Sequence, residues 1–355
     1  MIQQGVIDLT VVEVYEKLIA SRRPIDFFGE VSNEDSLKTL YRKFCKMVHP
    51  DLVSENEQYY ANEAFKMLNQ LYDQGLKELE NKMYTVDSST EEYKKSNPLF
   101  EVEAEGKEYT FYDHVTTGDV ANIFKGVCDN YFYFIKVPLE AKDSDLIDNE
   151  FDILTKVRHQ SLPYVECKIT ANGASAIISR EVEGITCEEL LKQYPSGVPA
   201  EHVLWMVERL LSVVGFLHYN CIIHGNITPN NILINKKNHN VTLFGFSFAI
   251  QKANEPGAKY KFFNEYYSAP EVLKGARVEP STDIYSIGKI AIKLMGGNVS
   301  NSGLPLSIDR RVRDFIKGMC KDEPLTRSND AWLLYKKLQE LRTEVYGSER
   351  FKELK

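Results

Sequence analysis

Through the first eighty positions, apolar residues recur at helical spacing. Leu37, Leu40, Tyr41, Phe44 and Val48 fall on one face; Lys38, Arg42 and Lys46 line the other, with Lys43 beside them and no acidic residue in the segment. Proline disfavours helical geometry in its predecessor, so His49-Pro50-Asp51 predicts the stop. A second helix is expected beyond it, with Ala64, Met67, Leu68, Leu71 and Gly75 facing the first. Upstream, LTVVEVYEKLIA predicts a further amphipathic helix.

From about Phe100 the period changes to that of strands. YTFYDHV, ANIFKGV and YFYFIKV are β-branched and aromatic runs at hairpin spacing. After about Pro199 the pattern turns helical again, most clearly in EHVLWMVERLLSVVGFLHY. The fold class is therefore α+β: a helical domain over residues 1–82, a polar linker over 83–98 closing on Pro98, a strand-rich then helix-rich domain over 99–345, and a tail over 346–355.

Composition narrows the function. A net charge of −8 argues against a general nucleic-acid binder, and no apolar run is long enough to span a membrane. Met1 to Asp8 lacks the basic-then-apolar order of a signal peptide. The six cysteines are scattered with no CxxC pair, so no metal site is expected, and the thiols suit a reducing, cytoplasmic compartment.

Two helices joined by a loop carrying His-Pro-Asp, the first one basic, resemble the J-domain, as does DFFGEVSNEDSLKTLYRKF ahead of that loop. The resemblance covers about residues 25–80. It implies that His49, Pro50 and Asp51, steered by Lys38, Arg42, Lys43 and Lys46, dock on a seventy-kilodalton heat-shock chaperone and stimulate its ATPase. Leu52 departs from the pattern, since the family usually has lysine there.

The stretch from about 107 to 343 resembles the protein-kinase fold through motifs in order. TTGDVANIF stands where the family has its glycine-rich loop, FIKV supplies Lys136, and DLIDNEFDILTKV supplies Glu150 as that lysine's partner. HGNITPNNILI matches the catalytic loop, and NVTLFGFSFAI the segment of the DFG motif. SAPEV, DIYSIG and TRSN supply Glu271, Asp283 and Arg327, for which the resemblance implies structural roles: a buried Glu271–Arg327 pair, and Asp283 bracing the catalytic loop.

The chemical positions differ from the family. Asn226 stands where a carboxylate would accept the substrate proton, and an amide cannot take a proton near neutral pH. Gly245 stands at the metal-binding aspartate in the best alignment, and the alternative register puts Leu243 there. Asn231, the metal-binding asparagine, is kept. The resemblance implies Gly118, Lys136, Glu150, Ser179 and Val182 as vestigial nucleotide contacts. Thr116 and Ala121 replace glycines, and Phe134 stands where a small residue underlies adenine. No cofactor is expected, although ATP is the one the retained pair would suit.

Tyr260, Tyr266, Tyr267 and Ser268 lie in the would-be activation segment and are read as packing or surface residues, and His218 and His224 as scaffold. The expected function is a pseudokinase adaptor coupled to a J-like co-chaperone segment. The alternatives are an atypical serine/threonine-type kinase with residual ATP-dependent transfer, and a structural component of a larger assembly.

Overall fold

A computed structural model describes residues 9–354 apart from 22, 82, 83, 85–89, 91, 92, 95, 96, 172, 238 and 348–351. The chain divides into two compact units, Met1–Pro98 with Val127–Phe132, and Leu99–Gly126 with Tyr133–Lys355.

Helices make up the first part of the chain: α1 (Val11–Ala20), α2 (Pro24–Phe28), α3 (Glu34–Val48) and α4 (Gln58–Glu80). Among the described residues of 9–81 there is no strand. Thr10 and Glu13 cap α1 reciprocally, and Asn33 accepts from the Ser36 N–H at 2.9 Å to start α3. Val14, Tyr15, Leu18, Phe27, Phe28, Leu37, Phe44, Val48, Ala64, Leu68 and Leu71 form one buried core, so the upstream helix α1 belongs to this unit. Leu37 meets Gly75, Tyr41 stacks on Tyr72, and His49 meets Phe65, so α3 and α4 run antiparallel. A Cβ on Gly75 would stand 2.8 Å from Leu37 Cδ2, which is why glycine suits this close approach.

Beyond Pro98 the chain forms a sheet of six strands in the order β1-β2-β3-β4-β6-β5. These are β1 (Phe100–Ala104), β2 (Lys107–Thr117), β3 (Ala121–Cys128), β4 (Tyr131–Pro138), β5 (Val165–Ala171) and β6 (Ala174–Arg180). The three predicted strand runs lie in β2, β3 and β4. Helix α5 (Ser144–Lys156) packs on β6 with Ile147, Ile153 and Leu154 buried.

The helix-rich part follows: β7 (Ile185–Thr186), α6 (Cys187–Gln193), α7 (Ala200–Tyr219), β8 (Ile232–Asn235), β9 (Asn240–Leu243), α8 (Pro270–Leu273), α9 (Ser281–Leu294), α10 (Arg310–Met319) and α11 (Ala331–Tyr346). α7 and α9 are buried along most of their length, and α7 packs against α9 and α11. Strands β7, β8 and β9 form a small antiparallel sheet flanking residues 223–231 and leading into Gly245.

Most of the linker at 83–98 lies outside the described residues, but Lys94 N–H donates to the Thr90 carbonyl at 3.0 Å in a helical turn, with Thr90 buried. Within the tail expected over 346–355, Lys352 pairs with Glu201 at 2.8 Å, and Leu354 is buried, its N–H 3.4 Å from the Lys236 carbonyl.

Candidate functional site

Alternation along β4 puts Phe134 and Lys136 on one face, and pairing across to β6 sets Ser179 beside Phe134. Lys136 Nζ lies 2.6 Å from Glu150 Oε2 on α5, so the expected pair forms. It has a third member. Ser247 Oγ accepts from Lys136 Nζ at 2.8 Å and donates to Glu150 Oε2 at 2.8 Å. Ser247 and Glu150 are buried, which strengthens these charge-assisted bonds.

Residues 218–231 are organised by one carboxylate. Asp283, buried in α9, accepts the His224 and Gly225 N–H groups at 2.9 Å each and lies 3.0 Å from His218 Nε2. Burial alone would raise its pKa, but the hydrogen bonds from His218 and the Gly225 N–H hold it below the usual carboxylate range. His224 Nδ1 accepts from Asn226 N–H at 3.2 Å, so its Nε2 carries the proton that faces the Phe244 carbonyl at 3.1 Å. Burial lowers the pKa of His224. His218 and His224 are therefore scaffold, as read from the sequence.

Asn231 Nδ2 donates to the Asn226 carbonyl at 2.9 Å. Asn226 itself is 6% exposed, and its Oδ1 has no hydrogen-bond partner among the described residues. Gly245 has φ +84°, and a Cβ on it would stand 2.6 Å from Asn231 Oδ1 and 2.9 Å from Nδ2. This donor set does not fit a magnesium ion. Asn231 offers one side-chain carbonyl oxygen and Gly245 no side chain, whereas magnesium on phosphates is usually held through one or two carboxylates.

The order of lobes, the Lys136–Glu150 pair and the Asp283-braced loop match what the sequence resemblance implied, and a family model for the protein kinase domain matches residues 109–303, just over half of the 355 residues. The chain belongs to that family. Its relatives include cyclin-dependent kinase-like 5 of Homo sapiens, 29% identical over 162 residues covering 44% of this chain and 16% of that protein. A probable serine/threonine-protein kinase of Dictyostelium discoideum is 26% identical over 253 residues, covering 64% of this chain and 50% of the relative. Serine/threonine-protein kinase PrkC of Bacillus subtilis is 30% identical over 128 residues, covering 36% and 20%. The chain thus spans half or less of the length of these relatives.

The remaining predicted positions of the kinase domain fall as follows. Gly118 N–H donates to the Ala121 carbonyl at 2.8 Å, closing the turn between β2 and β3, and Thr117 Oγ1 donates to Asn122 Oδ1 at 2.7 Å across it. Val182, just past β6, is half-buried. Glu271 and Arg327 form the expected buried pair, and Arg327 Nη1 also donates to the Ser281 carbonyl at 3.0 Å. Tyr260 is a packing residue, its hydroxyl donating to the Arg277 carbonyl at 3.2 Å and accepting the Glu279 N–H at 3.0 Å. Tyr266 is exposed.

In the helical unit, His49 ends α3, and its Nδ1 accepts the Asp51 N–H at 3.3 Å in the turn Pro50–Leu52. Asp51 and Leu52 are exposed, as are Arg42, Lys43 and Lys46, while Lys38 is half-buried.

Two site residues escaped the sequence reading. Ser247 had a signal, a hydroxyl at the last place of the DFG-like triplet. Asn149 had none: it is one polar residue of α5, yet its Nδ2 is directed at the carbonyls of Phe246, Ser247 and Ala249 at 3.3, 3.2 and 2.9 Å.

Proposed function

We propose that this kinase domain does not transfer phosphate and serves as a protein-recognition module, joined to a J-like helical unit that engages a seventy-kilodalton heat-shock chaperone. The observation carrying the first half is the pair Asn226 and Gly245, with the Asn231 carboxamide in the space where a side chain at 245 would start. A base that cannot accept the proton and a metal clamp without a carboxylate remove the two contributions that phosphoryl transfer needs beyond positioning. Phe134 and the altered loop Thr116–Ala121 argue in the same direction against ATP as a cofactor.

The second half rests on the His49-Pro50-Asp51 turn between two antiparallel helices, with Asp51 exposed, and on the basic residues along α3. No helix among the described residues is long and apolar enough to cross a membrane, and the cysteines are free thiols, four of them buried. A cytoplasmic protein with protein partners, binding neither nucleic acid nor membrane, is the reading consistent with these features.

Lys136–Glu150 at 2.6 Å favours one competing reading, an atypical serine/threonine kinase with residual transfer. Melting the purified protein with ATP, with and without magnesium, separates the two. A ligand at 100 times its dissociation constant adds about 2.7 kcal/mol. The non-catalytic reading expects no magnesium-dependent shift; a shift of several degrees that needs magnesium and is lost in Lys136→Ala favours the kinase.

A further inference from the structure

Adjacent residues of α5 bind the same short stretch of backbone and side chain after Gly245. Glu150 accepts from Ser247 Oγ, and Asn149 Nδ2 serves the carbonyls of residues 246, 247 and 249. Gln251 Nε2 then donates back to Asn149 Oδ1 at 3.2 Å, and Lys156, at the end of the same helix, donates to Gln251 Oε1 at 3.0 Å. Lys136 ties the helix and Ser247 to the sheet.

The segment that follows is fastened in turn by its own residues. Phe248 stacks on Phe262 with ring centroids 4.6 Å apart, and Lys261 Nζ donates to the Ala249 carbonyl at 3.1 Å. Ile250 pairs with Ile223 as a β-bridge, and Ile223, Ile250, Ala253 and Val278 form a small apolar cluster. All of these ties run between groups of the chain itself.

We infer that α5 and residues 246–262 form a single latch, closed by Asn149 and Ser247 as positioning residues, which holds the lobe-bridging helix in place without nucleotide or phosphorylation. A helix tied through Asn149, Glu150 and Lys156 to a segment that is itself tied to the lobe opens only if all the ties open together. The inference goes beyond the loss of catalysis, since an inactive domain could equally carry a mobile helix.

Hydrogen exchange on the full-length protein tests it, with AMP-PNP plus magnesium as the probe. In the wild type, amides of α5 and 246–262 should be protected without ligand, and excess probe should change their exchange by less than about twofold. In the double variant Asn149→Ala/Ser247→Gly, exchange in both segments should rise by about tenfold or more while α7 and α9 keep their protection. Equal exchange in variant and wild type would overturn the latch. So would a wild-type α5 that exchanges freely and slows by about tenfold on adding the probe, a result independent of whether the variant folds. Neither result bears on phosphate transfer, which is measured separately.

Discussion

The Asn231 carboxamide fills the space in which a side chain at position 245 would begin, 2.6 Å from the Cβ that Gly245 lacks. Any residue there must displace Asn231 from the Asn226 carbonyl or distort a backbone already at φ +84°. We therefore expect Gly245→Asp to lower stability by about 1–2 kcal/mol, from left-handed backbone and crowding. We also expect Asn226→Asp/Gly245→Asp to remain inactive. Urea unfolding and a transfer assay on the double variant check this; measurable transfer would mean that the site needs only its two carboxylates.

Three histidines set the response to acid. Burial lowers the pKa of His202 and His224, and burial with the neighbouring His202 brings His239 to about 4. In the unfolded chain each titrates near 6.5, so below that pH the unfolded state binds protons the fold refuses. Stability present at neutral pH is then lost as pH falls, at up to about 1.4 kcal/mol per pH unit per histidine. Asp283, whose pKa is also lowered, adds to the loss only near and below about pH 4. His239 has φ +56°, which asparagine tolerates. In His239→Asn the fall in melting temperature between neutral pH and pH 5 should shrink; an unchanged slope would remove His239 from the account.

How much of this was legible in the sequence depends on how each residue is recognised. Lys136, Glu150, Glu271, Asp283 and Arg327 come in ordered motifs, so their partners could be named before any coordinate was known. α3 ends at His49 because Pro50 follows, a purely local cause. Asn149 and Ser247 meet at distances that only the packing of α5 against the segment after Gly245 decides. His202 and His239, 3.0 Å apart, are separated by 37 positions with no shared pattern. The closeness of Asn231 to Gly245 depends equally on a backbone conformation that the residue types permit but do not specify.

The Glu271–Arg327 pair is buried on both sides, the Arg327 side chain completely. Removing one partner leaves a charge without compensation, typically at a cost of about 3–5 kcal/mol. Glu271→Gln should accordingly lower the urea midpoint sharply, whereas Arg311→Gln, at an exposed pair, should shift it by less than about 1 kcal/mol equivalent. Comparable midpoints for the two variants would contradict a bracing role.

For the helical unit the expected outcome is a weak, salt-sensitive acceleration of ATP hydrolysis by a seventy-kilodalton heat-shock chaperone when the full chain is added. Charges more than about 10 Å apart are screened at 0.1 M salt, so the effect should fade as salt rises. His49→Gln should abolish it while leaving the melting curve of the unit nearly unchanged, because His49 lies at the surface end of α3. Arg42→Glu/Lys46→Glu should slow association. No acceleration at low salt by the wild type would leave these helices as a packing or assembly element, an outcome that the exposed Leu52, in place of lysine, makes worth measuring first.

The central claim, that this kinase domain has lost phosphate transfer, is tested most directly by incubating the purified protein with γ-labelled ATP and magnesium. A generic protein substrate is included, with Lys136→Ala and Asn231→Ala in parallel. The account expects no label on the protein or the substrate above the level of the two variants. Label that accumulates with wild type and disappears in both variants would contradict it and establish an atypical kinase.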